Sequence, residues 1–338
     1  MNSDDIFDGI DDREPPRRRR KGWWIAGGLV MVLILGVGLA VGGYLMALRG
    51  AYEKTNTVAI TREEGEKPEA GEGTNYLLLG SDKRSEDEAE SSGVTGQRSD
   101  VMMLVHVSAD RDEVYVISFP RDLYVEIPGQ GTDRINAALA YGGLPLAVAT
   151  VEDYTGVPID HVALIDFDGI EGLVDALGGV EVQVPTDFEG DGVQFHQGPQ
   201  EMNGEEALIF ARQRYQFADG DFQRNRNQQA LLHGIIGELL SRDTLTSPTT
   251  VLDTVEKISP YMTVDDALTA STMAELGWGL RDVRSGDISY LSVPHGGPTT
   301  TSGGASVVAT DEEQMDVLRQ ALREDTMDVY YRDHRGMY

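Results

Sequence analysis

Apolar and polar positions alternate in short blocks along most of the chain. Three apolar runs stand close together: YLLLG (76–80), VMMLVHV (101–107) and EVYVISF (113–119). Short apolar runs closed by turn signals predict buried strands. Their polar boundaries are Ser81-Asp82-Lys83-Arg84, Arg98-Ser99-Asp100 and Pro120-Arg121-Asp122. Ala109-Asp110-Arg111-Asp112 is polar and short enough to be a hairpin loop. Such a hairpin sets position 108 opposite 113 and position 100 opposite 121. If 76–80 pairs beside 101–107, Asp82 leaves its strand at the same end. Carboxylates and arginines then meet at one sheet edge. Two readings stay open here: a divalent metal holding an anionic phosphate, or strand-end charges facing water.

Downstream, helical spacing alternates with strand-like runs. Thr132 to Ala138 opens a short helix that stops at Gly142-Gly143, and a second helix runs over 146–156. A strand is expected at 159–167, a helix at 167–179 with a Gly-Gly stop, and a strand at 180–184 closed by Pro185. Residues 186–202 read as loop. Asn203-Gly204-Glu205-Glu206 has capping-box spacing and starts the helix carrying ALIFARQRY. The polar loop FADGD (217–221) leads to a longer helix over roughly 222–242. Ser247-Pro248 starts a helix to about 259, and Thr263 to Asp266 starts another to about 281. A strand at 287–293, a Gly/Thr/Ser loop at 296–304 and a helix at 311–324 complete the pattern. The class is α/β (α+β), with a mixed central sheet flanked by helices.

The beginning of the chain differs. Residues 1–21 are polar, end in Arg17-Arg18-Arg19-Arg20-Lys21, and read as a disordered tail. Residues 22–48 carry no charge and are mostly apolar. As a helix at ~1.5 Å per residue they cover about 40 Å, enough to cross a ~30 Å hydrocarbon core. Trp23 and Trp24 sit where an interfacial aromatic belt belongs, and the basic cluster before them places the N-terminus in the cytoplasm. This predicts a single-pass membrane protein with its folded part outside. Residues 49–73 are charged and Gly-rich, as a spacer is. The expected organisation is tail 1–21, transmembrane helix 22–48, extracytoplasmic linker 49–73, catalytic domain 74–245 and C-terminal extension 246–338.

Net charge is −29, all of it beyond residue 48. A broadly acidic domain lacks the basic footprint of a general nucleic-acid binder. An anion site here must be built locally, from a few arginines. There is no cysteine, so thiol chemistry and disulfides are excluded. The chain has no HExxH, no G-x-S-x-G elbow and no Walker loop. His106 and His161 fall in strand patterns and are expected to be structural.

A second polar cluster is Arg212, Arg214, Arg224 and Gln228. Arg224 and Gln228 share a helix face. Arg212 and Arg214 diverge by about 200° on a regular helix, so they converge only where the helix ends. Arginine forks suit phosphate oxygens. Compensation of a helix dipole explains the pair as well, at ~0.3–1 kcal/mol each.

Taken in order, LLLGSDKR, GQRSDVMMLVHV, ISFPRDLYVEIPG, RINAALAYGG, TVEDYTGVPIDHV, VDALGGVEV, NGEEALIFARQRY and GDFQRNRNQQ resemble the LytR–CpsA–Psr family of bacterial envelope proteins over about 75–240. The resemblance implies a Mg²⁺-dependent phosphotransferase, with Mn²⁺ as the alternative ion. Its donor is a glycopolymer on a polyprenyl pyrophosphate, and its acceptor is a muramic acid hydroxyl of peptidoglycan. By the same resemblance Asp82 and Asp100 hold the metal. Arg98, Arg121, Arg212, Arg214, Arg224 and Gln228 contact the pyrophosphate, and Arg98 and Arg121 join the two aspartates as catalytic residues. No histidine lies in either cluster, so a carboxylate near the metal, Asp82, is the expected base. The chain departs from the family run D-x-x-R-x-x-R-Q-Q at Asn227, where a second arginine is expected, and Arg226 is one position off. Arg84 transfers less specifically. The helices at 134–153 and 228–240 have apolar faces that suit either a lipid tunnel or ordinary core. Hydrolysis of the same lipid pyrophosphate, or lipid binding without catalysis, remain the alternative functions.

Overall fold

The structure is a computed structural model, and it describes residues 43–60, 67–69, 71–81, 99–213, 220–239, 241 and 247–335. For Asp100, Phe167, Asp168, 220–226, Gln229 and Ser285 it describes the backbone only. Most of the expected membrane span lies outside the described residues. Among the described residues no helix is long and apolar enough to cross a membrane. The chain divides into two units, Met1–Ala47 and Leu48–Tyr338, and every strand among the described residues lies in the second.

Seven strands form the central sheet: β1 (Asn56–Val58), β2 (Thr74–Ser81), β3 (Ser99–Val107), β4 (Val114–Ser118), β7 (His161–Asp166), β12 (Met262–Asp265) and β13 (Ile288–Ser292). Their order is β1-β12-β7-β2-β3-β4-β13. β2 runs antiparallel to β3 and parallel to β7, and β3 runs antiparallel to β4. The β3–β4 register is the one the loop length implies: Met103 pairs with Ser118 and Val107 with Val114. The turn closes through Ser108 N–H to the Glu113 carbonyl (3.1 Å) and Arg111 N–H to the Ser108 carbonyl (2.9 Å).

The central strands are apolar at nearly every position because both faces are covered. One face carries Leu77, Leu79, Met102, Leu104 and Ile117. Helix α1 (Ala137–Thr155) packs there through Ala147, Val148 and Val151, with α7 (Glu312–Arg323) and α8 (Met327–His334) beside it. The opposite face carries Met103, Val107, Val114 and Val116, and meets Leu232 and Ile236 of helix α4 (Gly220–Leu239). A second core fills the space between α2 (Phe167–Leu177), α3 (Gly204–Arg212), α4 and the β8 (Val180–Val184)/β11 (Gly198–Met202) pair.

Several sequence expectations need correction. Thr132 to Arg134 do not open a helix; they form β6 (Gly131–Arg134), paired with β5 (Tyr124–Ile127). Gly129 and Gly131, with φ of 71° and 79°, make the turn that the helical reading passed over. The break at Gly142-Gly143 is real: both residues are non-helical within α1, and Pro145 follows. The loop at 186–202 holds the hairpin β9 (Phe188–Gly190)/β10 (Val193–Phe195) as well as β11. Asp191 and Gly192 both have positive φ (46° and 84°), the turn that Asp-Gly favours.

Thr263 to Asp266 do not cap a helix either. Met262–Asp265 is β12, and the Asp265 carboxylate accepts from Ala267 N–H (3.0 Å) and Leu268 N–H (2.9 Å). The next helix, α6 (Ala270–Gly279), starts one turn later, capped by Thr269; α5 (Pro248–Ile258) lies before β12 and is capped by Ser247. The Gly/Thr/Ser loop is a hairpin, β14 (His295–Thr300)/β15 (Ser306–Thr310). Residues 43–52 are helical, from the end of the expected span into the expected spacer, and within the spacer β1 joins the sheet beside β12. The expected extension contributes β12 and β13 to the same sheet. Its end is tied in by His106, fully buried between Asn75 Oδ1 (2.8 Å) and Asp325 Oδ1 (3.0 Å). His161 lies 3.2 Å from Asp265 Oδ1.

Candidate active site

The C-terminal end of β2 meets the N-terminal end of β3. A bulge between Gly80 and Ser81 shifts the ladder so that Ser81 faces Ser99 rather than the next residue. Both serines are buried, and the Ser99 hydroxyl donates to the Gly80 carbonyl at 3.1 Å. These small side chains occupy the interior, and Asp100 follows Ser99 on β3 at the sheet end. Asp82 follows Ser81 in sequence; Asp82, Arg84, Arg98 and Arg214 lie outside the described residues. Asp166 ends β7 directly opposite Ser81. Sequence reasoning missed this carboxylate. Its signal was the FDG sequence after it, which marks the strand end, but only the parallel β2–β7 pairing brings it to the same edge.

β4 ends at the same edge and delivers Arg121. Its backbone is held by Phe119 N–H to the Met102 carbonyl (3.0 Å) and by Asn136 N–H to the Arg121 carbonyl (3.3 Å). The Arg121 side chain is 15% exposed, and its Nε lies 3.4 Å from Asp122 Oδ2. Arg134 Nε is 3.4 Å from the other Asp122 oxygen. Arg134 also donates to the Ser306 carbonyl from Nε (3.2 Å) and Nη2 (2.8 Å). Asp122 thus sits between two guanidinium groups, and this pairing ties the β14–β15 hairpin to the corner. The sequence contained both residues within its motifs, but gave no sign that they meet.

The second cluster stands at the junction of α3 and α4. α3 begins with the expected capping box: Glu206 N–H donates to Asn203 Oδ1 at 3.0 Å, and Asn203 N–H donates to Glu206 Oε2 at 3.0 Å. It ends at Arg212, because Gln213 is extended (φ −65°, ψ 128°). The helix therefore stops between the two arginines of the ARQR run. Arg212 is exposed. Gln228 on α4 is buried and Asn227 fully so. Arg224 lies one turn earlier on α4, on the Gln228 face, and is described in backbone only. The apolar face of α4 crosses the sheet: Leu232, one turn beyond Gln228, packs into the cluster that contains Met103. Met103 is three residues beyond Asp100 on β3. Gly234 allows the close approach of α4 to β8, since a Cβ there would lie 2.5 Å from the Glu181 carbonyl oxygen.

Asp166, and by sequence Asp82 and Asp100, carry oxygen donors only, the chemistry that a hard divalent cation prefers. Among the described residues there is no group of three or more His, Asp or Glu side chains placed to hold a metal. His233 lies outside both clusters; it packs on Tyr290 with ring centroids 3.6 Å apart, and burial pushes its pKa down to about 4.

Comparison with known proteins bears on the whole arrangement. The model of the LytR_cpsA_psr family matches residues 44–324. A Bacillus anthracis protein named polyisoprenyl-teichoic acid–peptidoglycan teichoic acid transferase TagU is 36% identical over 235 residues, covering 66% of this chain and 75% of that protein. The crystal structure of Bacillus subtilis TagV superposes with a TM-score of 0.62 at 27% identity, over 76% of this chain and 97% of the other. A structure described as TagT bound to LI-WTA superposes with a TM-score of 0.58 at 25% identity, over 78% and 97%. A family match spanning both polar clusters and most of the C-terminal segment, with the same fold in the solved relatives, leads to one assignment: the chain belongs to the LytR_cpsA_psr family.

Proposed function

We propose that this protein moves a glycopolymer phosphate from a polyprenyl-pyrophosphate carrier to a hydroxyl of peptidoglycan, at the outer face of the membrane that anchors it. The observation that carries the reading is the sheet end. The β2–β3–β4 register sets Asp100 and Arg121 at one edge, with Asp166 opposite Ser81. Family membership and the name of the Bacillus anthracis relative support the choice of polymer, carrier and acceptor. The uncharged run 22–48 behind its basic cluster supports the anchor.

In this reading Asp82 and Asp100 hold Mg²⁺ or Mn²⁺, which when bound neutralises charge on the diphosphate. Arg98, Arg121, Arg212, Arg214, Arg224 and Gln228 contact the pyrophosphate oxygens. Arginine's planar fork suits those oxygens, and fixed donors stabilise charge that develops on the leaving group. Asp82 takes the proton of the attacking hydroxyl. That oxygen bonds to the phosphorus next to the sugar, the P–O–P bridge breaks, and polyprenyl phosphate leaves with the electron pair. Holding the acceptor in line supplies most of the remaining rate.

The test is to incubate the full-length protein in detergent with a polyprenyl-pyrophosphate-linked sugar, Mg²⁺ and peptidoglycan fragments, and to identify products by mass. A phosphosugar linked to peptidoglycan, together with polyprenyl phosphate, is the expected result. Free sugar phosphate with no adduct makes the protein a hydrolase instead.

A further inference from the structure

Two neighbouring side chains of α4 reach back to the end of α3. Asn227 Nδ2 donates to the Phe210 carbonyl at 3.2 Å, and Gln228 Nε2 donates to the Ala211 carbonyl at 3.5 Å. The last four carbonyls of a helix have no partner within it, and many helices settle them with a glycine in the left-handed region. α3 has no such residue: Gln213 follows directly with extended backbone. Among the described residues, the groups that cap its end come from another helix. Asn227 is fully buried, so its amide occupies a site where an unpaired polar group is costly. The Gln213 side chain lies close against Gly190, where a Cβ would stand 2.6 Å from its Nε2.

This accounts for the departure of the chain from its family pattern. A second arginine is expected at position 227, but the residue there is a buried amide facing a carbonyl oxygen. Gln228 is similar. Its only amide donor group points at Ala211, and Oε1 is buried with no hydrogen-bond partner among the described residues. Nε2 carries a second N–H, which is left over for a ligand oxygen.

We propose that Asn227, with Gln228 beside it, is a positioning residue. It clamps the C-terminal turn of α3 and so fixes the direction in which Arg212 leaves the helix toward the donor. The consequence for the reaction rests on the function proposed above; the clamp itself does not. Ending α3 at Arg212, with Gln213 extended, is the condition under which arginines two apart can serve one ligand, since extended backbone has a period of two.

The experiment compares wild type, Asn227→Ala and the nearly isosteric Asn227→Asp, which loses the donor and sets a carboxylate against a carbonyl. Amide hydrogen exchange over 207–213 is the first readout, with α5 as the internal reference. Faster exchange in the last turn of α3, with α5 unchanged, is expected in both variants. Unchanged exchange in that turn overturns the clamp, and faster exchange throughout the protein overturns its local character. The second readout is kcat/KM for the lipid donor, alone and on an Arg212→Ala background. Removing one buried hydrogen bond that orders a catalytic group should cost about tenfold. On the Arg212→Ala background the same substitution should cost less than about twofold, because its effect runs through Arg212. A full tenfold loss on both backgrounds contradicts the positioning role. If wild type forms no adduct, the proposed function fails, and the exchange data still decide the clamp.

Discussion

The two halves of the candidate site are held by different physics. At the sheet end, backbone ladders do the placing: Ser81 pairs with Ser99 and with Asp166, and β4 carries Arg121 to the same edge. At the α3–α4 junction, side-chain amides do it: Asn227 and Gln228 bond the carbonyls of Phe210 and Ala211. A ladder shares its load over many bonds, and a one-residue slip would swap every side chain to the other covered face, against the wrong neighbours. A helix end depends on one or two contacts. The carboxylate wall should therefore tolerate changes around it, and the arginine wall should respond to single substitutions remote from the ligand.

The largest effect is expected from the sheet end itself. Asp100→Asn keeps shape and removes charge; transfer should fall at least about 10³-fold, with an unchanged melting temperature. A variant that keeps wild-type rates would remove Asp100 from the proposed metal site. Next come Arg121→Ala and Arg212→Ala, each expected to lower kcat/KM for the donor about 10–100-fold. Because Arg121 is mostly buried beside Asp122 and Arg212 is exposed, only Arg121→Ala should also lower thermal stability. Equal destabilisation by both would erase the contrast between the walls.

Smaller effects concern the support of the second wall. Gly234→Ala puts a Cβ 2.5 Å from a backbone oxygen of β8. The helix must shift, at a cost of ~1–3 kcal/mol in urea unfolding. A neutral outcome would show that α4 slides freely. The smallest expected effect is pH-dependent. His233 is neutral in the fold, with its pKa pushed down from 6.5 to about 4. The unfolded chain binds the extra proton first, so this group favours unfolding progressively as pH falls from 6.5 to about 4, and is silent above. His233→Phe keeps a ring on Tyr290 and should remove that part of the acid sensitivity. Parallel stability–pH curves for the two proteins over this window would reject the assignment.

Much of this was legible in the chain. The strands of the β2–β3–β4 meander and their register follow from apolar runs and a short polar loop, because a buried sheet admits few alternatives. The capping box of α3 was equally plain. What escaped the sequence was the set of contacts made between distant segments. Asp166 reaches the edge through a parallel pairing, and Asp122 meets Arg134 only because β5 and β6 fold into a hairpin. Short hairpins with Gly turns, at 124–134, 188–195 and 295–310, read as loops or helix starts because each strand is too short to show a period. The segment 262–265 read as a helix cap since Asp265 does cap backbone N–H groups, but those of a turn that follows a strand. Asn227 looked like a missing arginine; only the neighbouring helix end shows what an amide does there.

The central claim is that both walls act on one pyrophosphate. The direct measurement is the affinity of wild type, Arg121→Ala and Arg212→Ala for geranyl pyrophosphate with Mg²⁺, by titration calorimetry on the full-length protein. Both variants should bind at least about tenfold more weakly, since each loses a charged hydrogen-bond partner of the same group. Loss in one variant with unaltered affinity in the other would separate the two walls and contradict the account.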